Sequence, residues 1–158
     1  MQKITPFLWF NDNAEEAVDH YVAIFKNSKI LRTTRGPHGK PAVIAFQLEG
    51  QDFIALNGGP HFQFTEAISL HVGCETQDEV DALWARLTEG GQPGRCGWLK
   101  DKFGLSWQII PTRLGELASD PDPERASRVI AAMLQMRKLD IAALEAAADG
   151  LPAPEASA

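Results

Sequence analysis

The chain has 158 residues and a net charge of −6 at neutral pH. That length suffices for a globular core without disulfides or a structural metal, and the charge argues against a nucleic-acid partner. No Lys/Arg stripe, no bilayer-length apolar run and no signal-like N-terminus is present, so a cytoplasmic protein with neither membrane nor nucleic acid as partner is expected.

In chain order, the segment Ile4 to Phe10 is apolar and ends at Asn11-Asp12-Asn13, which predicts a strand followed by a helix start. Apolar residues Ala14, Ala17, Val18, Tyr21, Val22 and Phe25 then recur at helical spacing, predicting a helix over 14–25 with one buried stripe. Three extended segments follow, Ser28 to Arg35, Ala42 to Leu48 and Phe53 to Asn57. The turns Gly36 to Gly39 and Glu49 to Asp52 separate them. After Gly58-Gly59-Pro60 the order restarts. Ile68 to Cys74 predicts a strand, 64 positions after Ile4, and Thr76 with Glu79 forms a capping-box signature for a helix ending at Gly90-Gly91. Short strands are predicted near Gly94 to Leu99 and Leu105 to Ile110. Beyond Pro111 the composition turns helical. Asp122-Pro123 starts a helix whose face carries Ala126, Val129, Ile130, Met133 and Leu134, and Asp140 caps a closing helix to Ala148. Cys74 and Cys96 make neither a disulfide framework nor a zinc cluster and are expected as free thiols.

The strand–helix–strand–strand–strand order thus occurs twice, a repeat of structure rather than of wording; an ordinary α+β sandwich is the alternative. Strand parity aims Thr5, Phe7 and Trp9 of one copy, and Ser69, His71 and Gly73 of the other, at the face away from the helix. There His71 is either a ligand or acid/base group or a hydrogen-bonded structural histidine. Ser106, Gln108 and Ile110 share a face, with Trp107 on the opposite, core side. Cys96 is a candidate nucleophile only if a base stands beside it, and a buried inert thiol is the alternative. Asn57-Gly58-Gly59-Pro60 reads as a strand-ending turn, with anion binding by its backbone N–H groups second.

The motifs Pro6-Phe7-Leu8-Trp9-Phe10, Ala55-Leu56-Asn57-Gly58-Gly59-Pro60, Cys74-Glu75-Thr76-Gln77, Cys96-Gly97-Trp98-Leu99-Lys100-Asp101 and Ser106-Trp107-Gln108 span most of the chain. In these the chain resembles the vicinal oxygen chelate superfamily of glyoxalases, bleomycin-resistance proteins and dioxygenases. Within it, the chain resembles the PhnB-like branch often labelled demethylubiquinone methyltransferase. The resemblance implies an α+β fold of two βαβββ modules, about 1–60 and 61–111, whose curved mixed sheets form a cleft. A helical extension over 112–150 and a disordered tail over 151–158 complete the expected organisation, and a homodimer is implied.

Carried over from the superfamily, the metal-ligand positions are Thr5, Ala55, Ser69 and Gln108. None is an imidazole or carboxylate, so no metal and no other cofactor is expected. No GxGxxG-like turn follows any strand, which leaves the methyltransferase label without an adenosyl-cofactor motif. Three functions compete. The first is binding of a small, partly apolar molecule by Phe7, Trp9, Asn57, His71, Cys96 and Gln108. The second is an enzyme, with His71 as acid/base or with the nominal methyl transfer, and the third a dimeric scaffold or sequestration protein.

Overall fold

The computed structural model of the protein describes residues 2–155, which fall into two compact units divided between Phe64 and Thr65. In the first, β1 (Phe7–Phe10) leads to α1 (Ala14–Ile24) and then to β2 (Lys29–Arg35), β3 (Pro41–Leu48) and β4 (Gln51–Asn57). A single 3-10 turn at Pro37–Gly39 joins β2 to β3. The sheet runs β1-β4-β3-β2, with β1 parallel to β4 and the other pairs antiparallel.

The second unit repeats the plan. Strand β5 (Leu70–Cys74) leads to α2 (Gln77–Thr88), then β6 (Gln92–Pro93), β7 (Trp98–Lys100) and β8 (Ser106–Pro111), and the sheet runs β5-β8-β7-β6 with β5 parallel to β8. Both modules are therefore βαβββ, the α+β architecture expected, and the repeat lies in the pairing order.

Alternation decides which side of each sheet is core. In the first module Leu8, Phe10, Ile44, Phe46, Leu48, Phe53 and Ala55 are buried, as are Ala14, Ala17, Val18, Tyr21 and Ile24 of α1, three or four residues apart along one helical face. Phe46 and Phe53, register partners, stack with centroids 5.4 Å apart. In the second module Cys74, Leu99, Trp107 and Ile109 are buried together with Val80 and Leu87 of α2. Thr76 Oγ1 accepts from Glu79 N at 3.2 Å, and the Glu79 carboxylate accepts in turn from Glu75 N at 2.9 Å, one residue before the cap.

The strands begin later than their apolar runs. Ile4 is 85 % and Ile68 60 % exposed, and both precede the strands they were expected to open, so neither belongs to the helix-side core. Pro6 has no N–H for the ladder, and only its carbonyl joins, accepting from Ile54 N.

Beyond β8 the second unit carries three helices, α3 (Thr112–Ala118), α4 (Pro123–Gln135) and α5 (Ile141–Ala148). Helix α3 falls within the expected helical extension, although the sequence delimits no helix there; Gly115 weakens its local signal, and burial of Leu114 and Leu117 supplies its stability. Asp122 caps α4 by accepting from Glu124 N, and Asp140 caps α5 by accepting from Ala143 N. Val129, Leu139, Leu144 and Ala148 complete a small core with Leu114 and Leu117, against which Ile110 and Met133 pack. Ile130 and Leu134 of the expected α4 stripe stay exposed. Residues 151–155 carry no regular secondary structure, and 156–158 of the expected disordered tail lie outside the described residues.

Candidate functional site

Register converts each sheet into a map of its open face, because residues directly opposite each other point the same way. In the second module His71 stands opposite Gln108, and Gln108 opposite Trp98, so His71, Gln108 and Trp98 form one row across β5, β8 and β7. The next row pairs Ser106 with Lys100, and Lys100 with Gln92 of β6. The row on the other side pairs Gly73 with Ile110. Ile110 packs against the C-terminal helical core, and a Cβ at Gly73 would lie 3.5 Å from Thr112 Cγ2, so the extension closes that end of the face. What stays open is a polar surface centred on His71, Gln108, Trp98 and Lys100.

Hydrogen bonds fix part of it. Gln108 Nε2 donates to Ser69 Oγ at 2.8 Å, tying the loop before β5 to the middle of the sheet. His71 is exposed. Lys100 forms an ion pair with Glu66, whose carboxyl is held below the ordinary carboxylate range first by the hydrogen bond from Lys100, and next by its own backbone. Beside this pair is a shallow pocket of about 170 Å³, lined by Glu66, Pro93, Trp98, Lys100 and Ser106 among others. Ser106 is fully buried, and among the described residues its Oγ has no hydrogen-bond partner.

The loop that follows Lys100 is organised from below by Asp101. This buried carboxylate accepts from Phe103 N at 2.9 Å, Leu105 N at 3.0 Å and Trp107 Nε1 at 2.8 Å. Three donors on one carboxylate make a rigid connection, and Gly104 supplies the left-handed residue that the turn requires, with φ of +87°.

The first module's open face differs in kind. Phe7 stands opposite Ile54, and Trp9 opposite Leu56; Ala45 and Val43 of β3 continue the same rows. Phe7 is 56 % exposed. Trp9 is clasped by its own module, for Nε1 donates to Gly59 O at 2.9 Å and Phe62 packs edge-on with centroids 4.9 Å apart. A Cβ at Gly58 would come within 2.4 Å of the indole.

Two expected site residues sit on the helix side. Ala55 pairs with Leu8 and is fully buried, and Asn57, paired with Phe10, shares its face. The Asn57 side chain accepts from Ala14 N at 2.8 Å and donates to Pro41 O at 2.9 Å, so it caps α1 and ties down the start of β3. One donor and one acceptor site of the amide are thereby committed to the fold. The Gly58 and Gly59 N–H groups are likewise occupied, donating to Phe10 O and Asn11 O, which makes this segment a turn and not an anion cradle.

Cys96 lies in the left-handed region with φ of +55°, and its N–H donates to Met136 O while Gly97 N donates to Arg137 O. It thus belongs to the seam with the C-terminal extension. Cys74 is buried on the helix side, where desolvation, with a smaller push from the Glu79 charge, raises its thiol to about 12. The donors at the superfamily's metal positions do not suit a divalent transition metal. Ser69 and Gln108 are neutral and bonded to each other, Thr5 is a hydroxyl, and Ala55 has no donor and faces α1. Among the described residues no three His, Cys, Asp or Glu side chains gather into a metal-holding group.

Glu66, Trp98 and Ser106 were not singled out from sequence as site residues; Lys100 and Asp101 fall in a segment whose sequence reads first as a hairpin connection and second as an anion-binding one. Parity with Gln108 already placed Ser106 on the open face, and Asp-x-Phe-Gly is the signal for the turn at Asp101.

With both open faces defined, relatives can be compared. A family profile described as 3-demethylubiquinone-9 3-methyltransferase matches residues 2–110. The chain belongs to this PhnB-like family. A putative 3-demethylubiquinone-9 3-methyltransferase, PhnB protein, from Bacillus cereus is 35 % identical, with a TM-score of 0.67 over 70 % of this chain and 100 % of that one. A Pseudomonas aeruginosa protein shares the fold at 18 % identity and a TM-score of 0.56, over 68 % of this chain and 95 % of that one. A comparison with curated proteins finds no match. The family profile ends at residue 110, so α3, α4 and α5 lie beyond it in this PhnB-like chain.

Proposed function

We propose that this PhnB-like protein binds a small, partly apolar molecule on the open face of its second sheet, through His71, Gln108 and Trp98, without a metal. The observation that carries the reading is the His71–Gln108–Trp98 row beside the Lys100 pocket. Such a surface combines an aromatic platform with a few fixed polar groups, the composition of small-molecule sites. Phe7 and Trp9 offer apolar surface of the same kind on the first module. Residence as a cytoplasmic homodimer is part of the proposal, supported by the free thiols Cys74 and Cys96 and by the exposed Ile130 and Leu134 of α4.

Native mass spectrometry of the protein incubated with a cellular small-molecule fraction tests this, followed by NMR mapping of any adduct. Shifts at His71, Trp98 and Gln108 are expected. A bound molecule that leaves all three unmoved refutes the assignment.

A second reading is catalytic, with His71 exchanging a proton and Gln108 polarising a carbonyl; the exposure of His71 directly opposite Gln108 favours it. The family's descriptive name concerns methyl transfer instead. Titration with S-adenosylmethionine decides that case, since saturable micromolar binding would favour methyl transfer over both readings.

A further inference from the structure

The pocket at the edge of the second sheet has an unusual donor balance. Beside the Glu66 carboxylate and the Gln92 amide, its polar walls hold an ammonium, Lys100, and a hydroxyl, Ser106, which stand directly opposite each other on β7 and β8 and share the open face. Ser106 is fully buried on a solvent-facing side of the sheet, and among the described residues its Oγ has no hydrogen-bond partner. A buried hydroxyl without a partner is costly, and natural structures rarely keep one without a reason. The Lys100 charge is met by Glu66, which sits in the irregular loop ahead of β5 and not on a strand. The chain thus lays one of its own carboxylates, from a segment without regular structure, on the cation beside the orphan hydroxyl. Trp98 and Pro93 supply the apolar wall.

We propose that Lys100 and Ser106 form the recognition site for the carboxylate of a small organic acid, and that Glu66 is the internal stand-in which that carboxylate displaces. The inference rests on the small-molecule reading above and names its ligand class. The incoming carboxylate pairs with the ammonium and accepts the Ser106 O–H, which gives the hydroxyl the partner it lacks, while the ligand's apolar body lies on Trp98. Release of Glu66 frees the loop to move with binding. No bond is made or broken.

The test uses phenylacetate and its neutral counterpart phenylacetamide, titrated into the full-length protein at neutral pH and followed by the backbone amides of Trp98, Lys100 and Ser106. Phenylacetate is expected to bind about tenfold more tightly than the amide, as a charge-assisted pair implies. Glu66→Gln, which removes the competing charge, tightens phenylacetate binding and leaves the amide unchanged. Lys100→Met erases the preference for the acid. Ser106→Ala weakens the acid about fivefold, in the range of one lost hydrogen bond, yet does not lower the melting temperature, because no native bond is removed. Equal affinity for acid and amide, or no response to Glu66→Gln, overturns the carboxylate site. If both probes then still shift His71 and Gln108, the broader reading survives alone. Silence of the whole face towards both probes and towards a cellular extract counts against both. A Ser106→Ala protein that melts several degrees lower also overturns the proposal, since the hydroxyl would then have a structural partner.

Discussion

The two sheets have the same strand order, the same parallel pair and the same helix-side chemistry, yet their open faces have diverged. On the first, Phe7, Trp9, Ile54, Leu56, Val43 and Ala45 make an apolar centre, with Arg32 and Thr34 ending those rows and Gln47 and Asp52 in the next one. On the second, the matching positions carry His71, Gly73, Gln108, Ile110 and Trp98, with Ser106 and Lys100 alongside. The helix side of a sheet is constrained by volume and by exclusion of water, so two copies keep similar residues there: Leu8 and Phe10 in one, Val72 and Cys74 in the other. The open side bears no such constraint. It is where duplicated modules can differ without loss of fold: the first copy keeps its polar residues, Arg32, Gln47 and Asp52, around an apolar centre, whereas the second carries His71 and Gln108 at the centre itself.

The sharpest way to break this contrast is to dismantle the second face from beneath. Asp101→Ala strands three donors, two of them buried, including the Trp107 indole N–H, and is expected to cost about 3–5 kcal/mol. Urea unfolding monitored separately at Trp9 and Trp107 reads it, and a loss shared equally by both modules would show that they do not fold as distinct units. Next comes Asn57→Ala, which removes the acceptor for Ala14 N and the donor to Pro41 O. About 1–3 kcal/mol should be lost while any ligand affinity of the folded protein is unchanged. A selective fall in affinity at constant stability would return Asn57 to the binding residues.

His71→Ala gives the opposite pattern. The side chain is exposed, so stability should move within about 0.5 kcal/mol by thermal melting, whereas ligand affinity should fall. Cys74 should resist iodoacetamide at pH 8 in the native state, because its thiol is raised to about 12 and the group is buried; rapid labelling would show that the second module's core opens readily.

The smallest effect belongs to the Asp81–Lys138 pair, which ties α2 to the segment between α4 and α5. Asp81 is held below its ordinary value, first by the hydrogen bond with Lys138 and next by Gln77. A depressed carboxylate contributes stability that is complete above its unfolded value of about 4 and is lost as pH falls through the folded one. For so exposed a pair the contribution is below about 1 kcal/mol. Lys138→Met should therefore narrow the stability difference between pH 6 and pH 3, and an unchanged difference would remove the pair from the acid response.

Most of the fold was legible because its signals are local. The α1 stripe, the Thr76 and Asp140 caps and the Asp122-Pro123 start need only neighbouring residues. Site residues were harder. Phe7, Trp9, His71 and Gln108 follow from parity within one strand and do lie on open faces. Asn57 and Ala55, placed by the resemblance and not by parity, lie on the helix side, because their face depends on the pairing Leu8↔Ala55 and Phe10↔Asn57, a contact between strands far apart in sequence. Glu66 was invisible for a related reason, since nothing in a loop's sequence says which charge it will meet. The orphan Ser106 hydroxyl is a property of packing alone.

The seam at Cys96 and Gly97 has a consequence for how this protein is bounded. Their amides donate to Met136 and Arg137, and a Cβ on Gly97 would strike Ile109 O and Leu139 Cδ1. The family profile ends at residue 110, yet the backbone inside it is completed by residues well outside it. Homology and cooperativity therefore draw the end of this domain in different places. A chain cut at the homologous boundary would keep every family motif and lose part of what holds the second sheet shut.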